Sequence, residues 1–169
     1  MSAAARPLTL WVPELQLRRM AEEAEGHRPN ETGGVLLGHR NGLDIVVRDA
    51  VDAGPAAVRT ATGMRPDHEY QVRSIREAFA ASDGAVTYLG EWHSHPDGSA
   101  ALSNRDRRTL RNIAREHDAY CPEPAMLILA SEEDGVWLPG AWIGRLGRLG
   151  RWGKIKVART RLRPYAGPS

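Results

Sequence analysis

The stretch Ala85-Val-Thr-Tyr-Leu-Gly-Glu-Trp-His-Ser-His-Pro96, then Asp97-Gly-Ser-Ala-Ala-Leu102 and Ser103-Asn-Arg-Asp106, decides the reading of the fold. Its first part predicts a strand over Ala85 to Trp92 that runs directly into His-Ser-His-Pro. A loop of Pro, Asp, Gly, Ser and Ala follows, then a helix from Ser103 to about His117 with Leu110, Ile113 and Ala114 on one face. On a strand, His93 and His95 project from the same side and can share one metal ion. Asp106 lies one turn into the helix, so the loop can bring its carboxylate back to the same point. Two imidazoles and a carboxylate leave one tetrahedral position for water, the composition of a catalytic zinc centre.

Outward from this segment, strands and helices mix without regular βαβ alternation. Leu8 to Val12 reads as a strand, and Pro13 can open a helix whose Leu17, Met20, Ala21 and Ala24 form one stripe, stopped by Gly26 and Pro29. Glu31 to Arg40 and Leu43 to Val51 form a hairpin around Asn41-Gly42. Ala53 to Arg65 reads as an irregular crossing with at most one short strand. Asp67 can cap a second helix with Val72, Ile75 and Phe79 inward and Gly84 at its end. Ala125 to Ala130 is a central strand, and Val136 to Ile143 and Trp152 to Leu162 close the sheet. In the last strand Ile155 and Val157 share one parity, Thr160 and Leu162 the other, which predicts a bulge near Val157. The Arg-Leu-Gly series over Arg145 to Gly153 is the loop between those strands. The fold class expected is α+β, a mixed or antiparallel sheet flanked by helices.

A chain of 169 residues forms one domain with a substantial core. No apolar run is long enough for a membrane span, and Arg6, Pro7 and Thr9 interrupt the start where a signal peptide needs an apolar stretch. The single cysteine, Cys121, reads as a buried small residue and excludes a disulfide framework or a zinc site of several thiolates, so a cytoplasmic protein is expected. The net charge of +2 conceals an asymmetry. From Gly140 onward there are eight basic residues and no acidic one, whereas the rest carries 15 basic against 21 acidic. A basic segment is attached to an acidic body, so the pI of about 9.0 is no evidence that the whole molecule binds nucleic acid.

Most histidines have no partner at ligand spacing; His27, His39, His68 and His117 are read as ordinary packed or surface residues. Glu91 shares the parity of the histidines but is expected to be an exposed strand residue. Ser103 and Asp106 also fit an N-cap with an acidic residue at N3, a role compatible with facing a reaction centre. Hydrolysis at a metal further needs a carboxylate base. Glu31 is the candidate, at the start of an otherwise buried strand where Gly33 and Gly34 admit close backbone approach.

Together, Glu31 with Gly33-Gly34, Tyr88-Leu-Gly-Glu-Trp-His-Ser-His-Pro96 and Ser103-x-x-Asp106 resemble the JAMM (MPN+, Mov34/PAD-1) metalloproteases over approximately Leu8 to Gly144. No position of that signature is replaced. With Asp67-His-Glu-Tyr-Gln71 upstream, the wording is most similar to bacterial deubiquitinase-like members from integrative conjugative elements and anti-phage operons. The resemblance implies a cytidine deaminase-like sandwich, with residues 1–144 as the metalloprotease domain and 145–169 as its basic last strand and tail. It implies Zn2+ held by His93, His95 and Asp106, Glu31 as the base acting on water, and Ser103 as donor to the oxyanion. The implied substrate is a peptide or isopeptide bond after the C-terminal tail of a ubiquitin-like protein. Its activating and conjugating enzymes, encoded in the same operon, are the implied associates. Asp97-Gly-Ser99 and the following alanines are candidates for lining the tail channel.

Two other functions compete. One is a JAMM-type hydrolase of a small peptide or amino-acid adduct of a sulfur-carrier protein, which the neighbouring genes distinguish. The other is a binding module whose basic end, Arg145 to Arg163, engages nucleic acid or an acidic protein, with Trp152 and Tyr165 stacking on bases. Interleaved Leu, Ile and Val make a solvated edge strand the better reading of that segment, so a nucleic-acid partner is not expected.

Overall fold

The computed structural model describes residues 8–133, 135–147, 150 and 154–167. The expectations for Met1 to Pro7, for Arg148 and Arg151 in the last loop, and for Trp152 fall outside the described residues. The elements in chain order are β1 (Thr9–Pro13), α1 (Glu14–Gly26), β2 (Gly33–Asn41), β3 (Asp44–Val51), β4 (Val58–Thr60), β5 (Gly63–Arg65), α2 (His68–Ala81), β6 (Thr87–His95), α3 (Asn104–Arg115), a 3-10 turn (His117–Ala119), β7 (Ala125–Glu133), β8 (Val136–Leu146) and β9 (Ile155–Tyr165). This is a mixed α+β fold with a sheet-dominated core and, among the described residues, three α-helices.

The hydrogen-bonded strand order is β1-β3-β2-β6-β7-β8-β9, and β9 pairs back to β1 in parallel, so the order closes on itself. The β1–β3 and β6–β7 pairs are also parallel; the remainder are antiparallel. The predicted Asn41-Gly42 turn joins β2 to β3, with Gly42 at φ 61°. Val58–Thr60 and Gly63–Arg65, expected as an irregular crossing with at most one strand, pair as a separate two-stranded hairpin.

β7 is buried from Ala125 to Ser131 because both its faces are covered. Leu127 and Leu129 join Leu10, Leu36, Ile45 and Trp92 in the main core, on which Met20 of α1 packs. Met126 and Ile128 turn the other way and meet Leu110 of α3. Burying side chains of this size contributes roughly 1.5–3 kcal/mol each, enough to fix α3 on the sheet. The pairing Met126↔Glu91 and Ile128↔His93 sets the polarity of β6: Glu91, His93 and His95 lie on the α3 side, Trp92 and Ser94 on the core side.

Two local expectations are corrected. The β8–β9 ladder is regular from Ala141↔Thr160 to Leu146↔Ile155, with no bulge at Val157. The parity change arises because Ile155 and Val157 pack towards α3, whereas Leu162 packs on the main core. Phe79, expected inward on α2, is 51% exposed and lies against Gly84 at the helix end. Gln71 is the buried residue of that helix. On α1 Leu17 packs half-buried on the main core beside the buried Met20 and Ala24, as the stripe predicts, and Gln16 is buried as well, its Nε2 donating to Asp49 Oδ1 at 2.9 Å.

Candidate metal centre

His93 and His95 end β6, and α3 begins eight residues past Pro96. Ser103 caps α3 with a reciprocal capping box: its Oγ accepts from the Asp106 N–H at 3.1 Å, and its own N–H donates to Asp106 Oδ2 at 2.7 Å. The box turns the Asp106 carboxylate back over the first turn. Oδ1 then lies 3.3 Å from His93 Nε2, and Oδ2 lies 4.0 Å from His95 Nε2. The two imidazole Nε2 atoms are 3.0 Å apart, and all the ligand-type atoms lie within 4.8 Å of one another. Burial by itself would raise the Asp106 carboxyl, but the bond and charge of His93 and the Ser103 N–H outweigh it and hold it at about 2. Among the described residues these three alone form a grouping able to hold a metal ion. Two imidazole nitrogens and one carboxylate oxygen are the donors a borderline divalent cation takes.

His95 Nδ1 is 2.8 Å from the Ser99 carbonyl, which can only accept. The proton therefore sits on Nδ1, and the lone pair of Nε2 faces the cluster. The loop supplying that carbonyl is tied down at Asp97, whose Oδ1 accepts from Arg28 Nη1 at 3.3 Å; Arg28 Nη2 donates to Ser131 Oγ at 2.6 Å. Asp97-Gly-Ser99 thus lies beside His95.

Glu31 precedes β2 and stands within electrostatic reach of His93, His95, Arg105 and Asp106. Burial raises its pKa above the usual 4.5, against the lowering pull of the two histidines and Arg105. Its position follows from three local contacts. A Cβ on Gly33 would lie 2.4 Å from the Trp92 carbonyl oxygen, so only glycine lets β2 approach β6 this closely beside His93. Ser94, facing away from the histidines, accepts from the Thr32 N–H at 2.9 Å through Oγ and donates its own N–H to the Thr32 carbonyl at 2.8 Å. The Glu31 N–H donates to Thr60 O at 2.8 Å.

Ser94 and Thr32 are fully buried and were missed from the sequence, although the parity that faces both histidines to the site necessarily turns Ser94 inward. Ser94→Ala is expected to orphan the Thr32 N–H, at a cost of about 1–3 kcal/mol, while leaving both imidazoles in place. Thermal unfolding and cleavage rate on one preparation check this; an unchanged Tm would rule it out.

Glu91 is not the exposed residue expected. It is half-buried on the histidine face, and burial raises its pKa against the opposing influence of His93 and Tyr88. A register shift, with Leu36 opposite Gly90 and Leu37 opposite Tyr88, brings Tyr88 to the same face. His27, His39, His68 and His117 do not join the cluster. Cys121 is buried, its thiol pushed up to about 12 by that burial. Tyr165, offered as a stacking surface, instead donates its hydroxyl to Val47 O at 2.6 Å and closes the β9–β1 edge.

Residues 13–142 match the family described as prokaryotic homologs of the JAB domain. The chain belongs to this family, within the JAMM group of hydrolases. It is 36% identical over 144 residues to a "Probable metalloprotease y4qB" of Sinorhizobium fredii, covering 84% of this chain and 87% of that one. It is 31% identical over 140 residues to a "CD-NTase/cGAS isopeptidase" of Enterobacter hormaechei, covering 82% and 77% respectively. The solution structure of protein DSY2949 from Desulfitobacterium hafniense superposes with a TM-score of 0.67 over 92% of both chains; at 20% identity this likeness is one of fold.

Proposed function

We propose that this chain is a zinc-dependent isopeptidase or peptidase that cleaves after the C-terminal tail of a ubiquitin-like protein, releasing it from a conjugate or precursor. The carrying observation is the convergence of His93, His95 and Asp106 beside a carboxylate, Glu31, whose pKa burial raises. In this reading the three converging side chains hold the ion. Bound zinc supplies Lewis acidity, polarising a carbonyl and making water acidic enough to be deprotonated near pH 7. Glu31 takes the proton from the attacking water and delivers it to the leaving amine. Ser103 uses its lone pairs for the cap and keeps its O–H to donate to the oxyanion. The tail lies extended along a strand edge next to the site, where main-chain pairing supports its binding.

The isopeptidase names of several relatives favour a protein conjugate over a small sulfur-carrier adduct. By the same likeness we place the protein in a bacterial ubiquitin-like conjugation system with a role in anti-phage defence, acting in the cytoplasm with activating and conjugating enzymes as associates. Among the described residues no helix is long and apolar enough to cross a membrane.

The experiment is cleavage of a bacterial ubiquitin-like protein fused through its C-terminal tail to a reporter. Activity is expected with about one zinc per chain and loss on chelation, restored by added zinc. Tight binding of one DNA sequence at physiological salt, with no cleavage of any fusion, would overturn the reading.

A further inference from the structure

The β4–β5 hairpin stands outside the main sheet, yet it carries the carbonyl that holds Glu31, since the Glu31 N–H donates to Thr60 O at 2.8 Å. Its first strand is gripped at mid-length by Arg59, whose Nε donates to Thr32 Oγ1 at 3.0 Å and whose Nη2 lies 3.4 Å from Glu23 Oε1. Its tip is gripped from the other side by Arg105, the residue before Asp106, whose Nη1 donates to Thr62 O at 3.1 Å.

The guanidinium end of Arg105 lies directly against Gly63, where any side chain would push it aside. A Cβ on Gly63 would lie 2.0 Å from Arg105 Nη1 and 2.9 Å from its Cζ. Gly63 is buried although it belongs to a short hairpin outside the main sheet, and Arg105 itself remains exposed along its other side. A bond to one exposed carbonyl would contribute little on its own. Here it joins two elements that hold different parts of the site: α3, with Ser103 and Asp106, and the hairpin, with the main-chain partner of Glu31.

We propose that Arg105, seated against Gly63, is a positioning residue for Glu31: it clamps the β4–β5 hairpin to α3 and so fixes the carboxylate relative to the His93–His95–Asp106 cluster. The proposal rests on Glu31 being the base, but its first readout does not. The guanidinium touches no reacting atom and acts on Glu31 through the hairpin; its charge, which also lowers the Glu31 pKa, is kept in Gly63→Ala. Without the clamp the hairpin stays tethered at Arg59, so the tip loosens while the fold is kept.

The test is amide hydrogen exchange by NMR on the full chain, with zinc content, kcat and KM measured on the same preparations. Arg105→Ala is expected to speed exchange of the Glu31 amide about tenfold while amides of β7 stay unchanged. Zinc stoichiometry should hold, and kcat should fall about tenfold with KM little moved, because a displaced base costs rate and not affinity. Arg105→Lys, which keeps a donor at the tip, should stay within about threefold of wild type. Gly63→Ala, filling the seat, should reproduce Arg105→Ala, and the double variant should add nothing further. Unchanged Glu31 exchange in Arg105→Ala, or additive effects in the double variant, overturns the clamp. Faster exchange with wild-type kcat overturns the positioning role; Glu31→Gln, which removes the base without touching the clamp, tests the base separately.

Discussion

Glu31→Gln is expected to keep the metal and the fold while cleavage falls by at least about 10³-fold, within the range that a general base supplies. Gln nearly matches Glu in shape and can keep the main-chain bond to Thr60, but it takes no proton at neutral pH. Stability should not suffer. Burial raises the Glu31 pKa on folding, so the folded chain binds that proton more tightly than the unfolded one. Its contribution to stability is therefore present below the unfolded value and is lost as pH rises through the folded one. In the metal-free protein at neutral pH the buried carboxylate is a cost that Gln removes, so an equal or higher Tm is predicted there. Metal content, Tm and rate on one preparation decide the matter. A zinc-loaded, folded Glu31→Gln protein cleaving at the wild-type rate would falsify the mechanism.

The parts of this molecule legible in its sequence are those governed by short-range rules. The turn at Asn41-Gly42, the Asp67 and Ser103 caps and the common face of His93 and His95 each follow from residues within four positions of one another. The cluster was accessible for that reason: a two-residue step on a strand and a capping box on a helix account for most of its geometry. What escaped depends on distant partners. Thr32 meets Ser94 across 62 positions, and Arg105 reaches Thr62 across 43; nothing local to either residue signals the pairing. The errors at Phe79 and Val157 have a related origin. Periodicity reveals that a face is apolar but not whether the fold covers it, and β9 is covered on opposite faces at its two ends.

Removing a donor from the cluster is expected to have the second large effect, and Asp106 separates the roles of charge and cap. In Asp106→Ala both are lost: zinc affinity should fall by more than the roughly 10–100-fold typical of losing an outer partner, and loss of the capping bond should cost about 0.5–2 kcal/mol. Asp106→Asn retains an oxygen that can accept from the Ser103 N–H, so helix stability should largely survive while the anionic donor disappears. His95→Ala should lose the metal and leave the cap intact. The metal-free proteins carry a further signature in acid. Asp106 is depressed from 3.8 to about 2, so its contribution is present above the unfolded value and is lost as pH falls through the folded one. That contribution is roughly 2 kcal/mol. Wild-type apoprotein should therefore lose stability between about pH 4 and pH 2 by more than Asp106→Asn does. Zinc titration against a chelating dye and acid unfolding of the three variants measure both effects. If Asp106→Asn still retained one zinc at wild-type affinity, the carboxylate would be a helix cap alone and the metal would have to be held by other groups.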